Sequence, residues 1–138
     1  MLTSDFLFLA FSIPGLLIAL YFVAVSYRII PPDSAFLPRF CRMDDRSCAS
    51  ILHTPHARLL RIAPNALFGV VWYLVVLLLT FLSLSPFAAG VLTAVAWLTV
   101  LMSAWLAWVL RVRMRTDCPL CYTSHLLNVA IALTLTLR

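Results

Sequence analysis

Four long apolar stretches separated by polar segments dominate the chain, and they cover residues 6–27, 66–87, 91–110 and 118–137. An α-helix needs about 20 consecutive apolar residues to cross the hydrocarbon core of a bilayer. Each stretch meets that length, so the pattern predicts an all-α integral membrane protein, a bundle of four transmembrane helices that forms a single domain over residues 1–138. Such a unit leaves no room for a separate soluble domain. Any protein substrate should therefore be a separate partner.

The connection between the first two helices is long and covers residues 28–64, with Cys41 and Cys48 inside it. A connection of this length in so small a protein is usually functional. Two aspartates before Cys48 predict a short helix in the loop. Pro55 and the apolar residues that alternate with arginines after it predict a second short helix, lying in the membrane interface. By contrast, only residues 85–90 join the second and third helices, which predicts an antiparallel helical hairpin.

Composition supports a membrane location and excludes some partners. The chain is 64% hydrophobic and only 11% charged, with a mean hydropathy of +1.04, whereas about a quarter of the residues in a soluble domain are charged. The net charge is +5. The basic residues lie at the borders of the apolar stretches, so we expect contact with anionic lipid headgroups rather than nucleic acid.

The predicted topology brings the cysteines together. An even number of spans returns the C-terminus to the side of the N-terminus, so the long loop and the segment before the fourth helix share one face of the membrane. That face holds all four cysteines, which are Cys41, Cys48, Cys118 and Cys121.

Cys118 and Cys121 form a Cys-x-x-Cys motif at the start of the fourth helix. Unpaired backbone amides and the helix dipole favour anionic sulfur at such a position. A redox pair is the interpretation we favour. The alternatives are inert packing and a zinc site completed by Cys41 and Cys48, although six residues between those two cysteines are more than structural zinc sites usually have.

His125 and Asn128 continue the line of the cysteines along the fourth helix. The spacing of three, four and three residues from Cys118 onward places all four side chains on one helical face, which we expect to point into the bundle. Polar groups inside a membrane are costly and therefore often functional. The alternative for His125 is a simple hydrogen bond between helices.

The second helix begins with a polar residue followed by aromatic ones. Asn65 is predicted at the same membrane depth as His125, and Gly69 would allow close approach of a neighbour. Phe68, Trp72 and Tyr73 would add aromatic walls, giving a flat pocket with a few hydrogen-bonding groups. A quinone ring fits such a pocket, although aromatic residues at helical spacing are more often ordinary packing.

Taken together, these motifs resemble the vitamin K epoxide reductase family of membrane oxidoreductases. The resemblance covers almost the whole chain, and it is carried by the loop cysteines, the motif at 65–73 that reads Asn-Ala-Leu-Phe-Gly-Val-Val-Trp-Tyr, and Cys-Pro-Leu-Cys at 118–121 with Asn128 seven residues later. The other quinone-linked class of disulfide generators also has four helices and two dithiols. Its Cys-x-x-Cys, however, lies in the first loop, whereas here the motif opens the fourth helix.

The resemblance implies a quinone-dependent, disulfide-forming enzyme whose electron donor is a thioredoxin-fold protein. The partner would attack the Cys41–Cys48 disulfide, and Cys48 would then attack Cys118. Cys121 would be released to donate electrons to a ubiquinone- or menaquinone-type quinone. Asn65 and His125 would hydrogen-bond the quinone oxygens, and the pocket would include Asn128 and the aromatic residues above. No metal is expected.

Two positions depart from the animal members that recycle vitamin K. His125 stands where those enzymes have Tyr, and Ala66 follows the pocket asparagine where they have Ser. Both departures weigh against reduction of the vitamin K epoxide itself, which is the alternative activity. A second alternative is a non-catalytic, metal-binding subunit of four membrane helices.

Charge predicts an orientation that differs from most of the family. Nine arginines lie on the cysteine face, whereas the opposite face holds Arg138 and the amino terminus. Basic residues next to membrane segments favour the cytoplasmic side. We therefore expect the cysteine face of this cell-membrane protein to be cytoplasmic, with the extracytoplasmic side as the alternative.

Overall fold

The computed structural model describes residues 2–31, 58–59, 63–82, 84–115 and 117–137. Its main elements are four helices, α1 (Leu2–Ser26), α2 (Asn65–Thr80), α3 (Pro86–Trp108) and α4 (Pro119–Leu137). A π-helical turn, Val109–Arg113, extends α3. Two short strands, β1 (Arg58–Leu59) and β2 (Ala63–Pro64), precede α2. The described chain is therefore mainly helical, as the apolar stretches predict.

Within the described residues, three segments are long and apolar enough to cross a membrane, namely Asp5–Ser26, Pro86–Arg113 and Pro119–Leu137. They confirm the prediction of a membrane protein. Helix α2 has only 16 residues and so measures about 24 Å, less than the roughly 30 Å of the hydrocarbon core. A fourth complete span therefore stays a prediction.

The connection between α2 and α3 differs from the predicted one. Helix α2 ends at Thr80 rather than at residue 87, and α3 begins at Pro86 rather than at residue 91. Ser85 and Pro86, which lie inside the predicted apolar span, start α3. The Ser85 hydroxyl accepts a hydrogen bond from the amide of Ala88 at 3.3 Å, as an N-cap residue does, and Pro86 occupies the first helical turn. The predicted connection at residues 85–90 is therefore wrong, and the link is residues 81–85.

The segment before α2 is extended rather than helical. Arg58 pairs with Pro64 and Leu59 with Ala63 in an antiparallel ladder, so the predicted interfacial helix is wrong at these residues. Pro64 favours the extended conformation of Ala63, because a proline disfavours the α conformation in the residue before it. The short helix predicted around Cys48, together with Cys41 and Cys48 themselves, lies outside the described residues.

The helices pack along three sides of the bundle. Helix α1 packs against α2 and α4, and α3 packs against α4, whereas α2 and α3 make few direct contacts. A buried cluster at one end joins Val25 near the end of α1, Ala66 at the start of α2, Leu110 after α3, and Cys118 just before α4. Neighbouring helices therefore run antiparallel. The described residues on either side of the long loop lie at the same end of the bundle as Cys118.

Candidate functional site

A cavity of about 400 Å³ lies where α2 and α3 separate. All four helices contribute to its walls, with Ala19 and Phe22 from α1 at one side. The cavity follows from the packing, because α2 packs mainly against α1 and α3 mainly against α4, which leaves few direct contacts between α2 and α3. Its volume falls within the roughly 300–1,000 Å³ of ordinary ligand pockets.

The structure brings most of the residues predicted for the site to this one cavity. The lining residues include Cys121, His125 and Asn128 of α4, and Asn65, Phe68, Trp72 and Tyr73 of α2. Their helical spacing explains the result, since residues three and four apart share a face. Phe68 is the least enclosed of them, with 48% of its surface exposed.

Cys118 lies behind the cavity wall and directly before α4. Its sulfur accepts a hydrogen bond from the backbone amide of Cys121 at 3.3 Å, the pattern of an N-cap residue. Pro119 follows at the first helical position, where its missing N–H leaves no bond unmade. The two sulfur atoms are 2.6 Å apart, so the two cysteines are close enough to act as a dithiol pair.

The two cysteines therefore have different surroundings. Cys118 is fully buried and packs in a cluster with Phe22, Val25 and Leu110. Cys121 is partly exposed and lines the cavity. One sulfur faces the ligand space and the other faces the packed end of the bundle.

Several polar atoms of the cavity-lining residues lack a hydrogen-bond partner within the described part of the chain. They are the indole nitrogen of Trp72, Nδ1 of His125 and Oδ1 of Asn128. A buried polar group without a partner costs about 1–3 kcal/mol. The oxygens of a flat quinone ring could accept hydrogen bonds from the Trp72 and His125 nitrogens, and a hydroxyl of the reduced ring could donate to Oδ1 of Asn128. Because the rest of the ring suits the apolar walls, these residues fit a quinone.

Tyr73 fixes one wall of the cavity through contacts that the sequence does not reveal. Its side chain is 1% exposed, and its hydroxyl donates a hydrogen bond to the backbone carbonyl of Ser124 in α4 at 3.2 Å. A Cβ atom added to Gly15 of α1 would overlap the Tyr73 ring. At Gly69 the fit between α2 and α1 is less tight, because a Cβ atom added there would lie 3.4 Å from the Cβ of Ala19.

Ser103 is a lining residue that the sequence interpretation missed. Its hydroxyl accepts a hydrogen bond from Nδ2 of Asn128 at 2.9 Å, and both side chains are buried. A hydroxyl in the middle of an apolar helix is a recognisable signal. Serine is, however, common enough in membrane helices that the signal alone does not separate binding from helix packing.

Charged side chains lie at the cysteine end but outside the cavity. Arg111 in the π-helical turn pairs with Asp117 at 3.0 Å, and both side chains are mostly exposed. Such a surface pair contributes at most about 1 kcal/mol to stability. Within the described residues no group of three or more His, Cys, Asp or Glu side chains could hold a metal ion, while the loop cysteines required by the zinc alternative lie outside them.

The sequence profile of the vitamin K epoxide reductase family matches residues 6–136, which is nearly the whole chain. No curated protein sequence matches the chain. The family match confirms the resemblance drawn from the cysteine and Asn65 motifs.

Proposed function

Since the chain belongs to the vitamin K epoxide reductase family, whose members are membrane oxidoreductases, we propose that it is a quinone-dependent thiol oxidase. It takes electrons from the dithiol of a thioredoxin-fold protein and passes them through two cysteine pairs to a quinone. The partner leaves with a disulfide.

One observation carries this proposal: Cys121 lines an apolar cavity while its sulfur lies 2.6 Å from that of the buried Cys118. A dithiol that contacts a ligand pocket on one side can transfer two electrons to whatever the pocket holds. A purely structural pair would have no need of that contact.

The cavity residues provide recognition and orientation. Asn65 and His125 line the same cavity as Cys121, where they can hydrogen-bond ring oxygens that gain negative charge. Phe68, Trp72 and Tyr73 supply aromatic surface for a flat ring. A bound quinone supplies the acceptor of two electrons and two protons, and the Cys118–Cys121 dithiol becomes a disulfide in exchange.

Electrons reach this pair from the loop. Cys41 accepts the attack of the partner thiolate, and Cys48 then exchanges with Cys118 through a mixed disulfide. Cys118 is buried in a cluster with Val25 and Leu110 and does not line the cavity. The exchange with Cys48 and the transfer to the quinone therefore use different members of the pair.

We place the cysteine end of the bundle in the cytoplasm. Arg28, Arg111, Arg113 and Arg115 follow the helix ends nearest to Cys118, and basic residues at membrane borders favour the cytoplasmic side. A cytoplasmic thiol oxidase would suit a cell whose intracellular proteins contain disulfides.

The test uses Cys121→Ala in purified protein with a reduced thioredoxin-fold protein and a quinone. The variant should reduce no quinone, because it lacks the sulfur at the cavity, yet its Cys41–Cys48 disulfide should still exchange with the partner. Thr123→Val is the matched control, since the Thr123 hydroxyl is exposed and bonds only to a carbonyl of its own helix. Quinone turnover by the Cys121→Ala variant would overturn the assignment.

A further inference from the structure

We propose that Ser103 and Asn128 recognise the quinone oxygen farther from Cys121 and thereby select para-quinones over ortho-quinones. This inference rests on the proposed quinone reduction and adds a determinant of substrate choice to it. Both residues line the same cavity as Cys121.

The bond between the two side chains leaves hydrogen-bonding capacity on both. Nδ2 of Asn128 donates to Oγ of Ser103 at 2.9 Å, so the Ser103 hydroxyl can still donate its own hydrogen. Oδ1 of Asn128 is buried and has no partner within the described chain. The pair therefore offers one donor and one acceptor side by side, which matches a ring oxygen both as a carbonyl and as a hydroxyl.

A second bond between α3 and α4 shows what a purely structural link looks like. The indole N–H of Trp97 donates to the Thr136 hydroxyl at 3.1 Å, and Thr136 in turn donates to the carbonyl of Ala132 at 2.8 Å. Neither Trp97 nor Thr136 lines the cavity. Helix packing alone therefore does not require the unpaired oxygen that Asn128 carries.

The position of the pair determines which oxygen it meets. Asn128 follows Cys121 by seven residues and lies about 10 Å farther along the α4 axis, on the same face. His125 lies between them. A ring oxygen near Cys121 meets Asn65 or His125, and an oxygen at the opposite edge of the ring reaches Ser103 and Asn128. A para-quinone has oxygens at opposite edges, whereas the two oxygens of an ortho-quinone are adjacent.

The experiment compares the KM and kcat of purified protein for para- and ortho-naphthoquinone, which share ring size and apolar surface. Ser103→Ala should raise KM for the para isomer about 2- to 10-fold, the range for one lost hydrogen bond, and leave KM for the ortho isomer unchanged. Ser103→Thr, which keeps the hydroxyl, should restore the wild-type ratio. Thr136→Val, which removes a bond between the same two helices outside the cavity, should leave the ratio unchanged.

The outcomes separate this inference from the proposed function. If the wild-type protein reduces the para-quinone but Ser103→Ala leaves the ratio of KM values for the two isomers unchanged, the role of Ser103 is refuted and the proposed function is not. Wild-type protein that reduces neither isomer would overturn both proposals. If Ser103→Ala does not fold, Ser103→Cys tests the same point, because a thiol of similar size is a much weaker donor, and an unchanged ratio there would likewise refute the inference.

Discussion

Gly15 of α1 lies against the ring of Tyr73 of α2, and replacing it with alanine should destabilise the bundle. Its missing side chain makes room for the ring of Tyr73, which an added Cβ would overlap. Tyr73 has little freedom to withdraw, because it is 1% exposed and its hydroxyl bonds to Ser124 in α4.

The magnitude follows from comparison with another glycine. Overpacking a core typically lowers the free energy of unfolding by about 1–3 kcal/mol. Replacing glycine with alanine inside a helix raises it by at most about 1 kcal/mol through helix propensity. No atom lies within 4 Å of a Cβ built on Gly90 in α3. Gly90→Ala should therefore gain the helix propensity of alanine without any steric overlap. The difference between the two variants is therefore the overlap alone, about 1–3 kcal/mol.

The assay is unfolding of each variant in the same detergent, followed by tryptophan fluorescence. A double variant with Tyr73→Leu provides the control, since a smaller side chain removes the ring that Cβ would strike and should abolish most of the penalty of Gly15→Ala. Equal stabilities of Gly15→Ala and Gly90→Ala would refute the reasoning.

Two further predictions concern the ends of the helices. Arg28 follows the end of α1 with a left-handed φ of 58°, and the amide of Ile29 donates a hydrogen bond to the carbonyl of Ala24 at 2.8 Å, which is a Schellman motif. Because glycine adopts this conformation without strain, Arg28→Gly should stabilise the protein by roughly 1 kcal/mol in thermal unfolding, and a loss of stability would contradict the prediction. Once the Cys41–Cys48 disulfide has been reduced, a membrane-impermeant thiol reagent should modify both cysteines in inverted vesicles and not in intact cells, and modification in intact cells would refute the cytoplasmic placement.

Most of the candidate site follows from the sequence because it depends on helical spacing. The intervals from Cys121 to Asn128 on α4 and from Asn65 to Tyr73 on α2 place polar and aromatic groups on single faces before any contact is known. The choice of which face turns inward also follows, since polar groups avoid lipid.

What the sequence could not provide is how the helices sit against one another. A continuous apolar run hid the break after Thr80, because residues 81–87 remain hydrophobic enough to extend the predicted span. The separation of α2 from α3 is a property of packing, and it depends on contacts such as Gly15 against Tyr73 that have no signal in periodicity. The role of Ser103 becomes visible only once Asn128 is seen bonded to it.

Helix α4 fixes the relative positions of α2 and α3, which form two walls of the cavity but make few direct contacts with each other. Tyr73 connects α2 to α4 through Ser124, and Asn128 connects α3 to α4 through Ser103. Cys121 also lies on α4, so the positions of the redox sulfur and of both walls are set by the same helix. A change that loosens either link should therefore alter ligand position relative to Cys121 more than it alters the cysteine pair, whose own hydrogen bond is local to the start of α4.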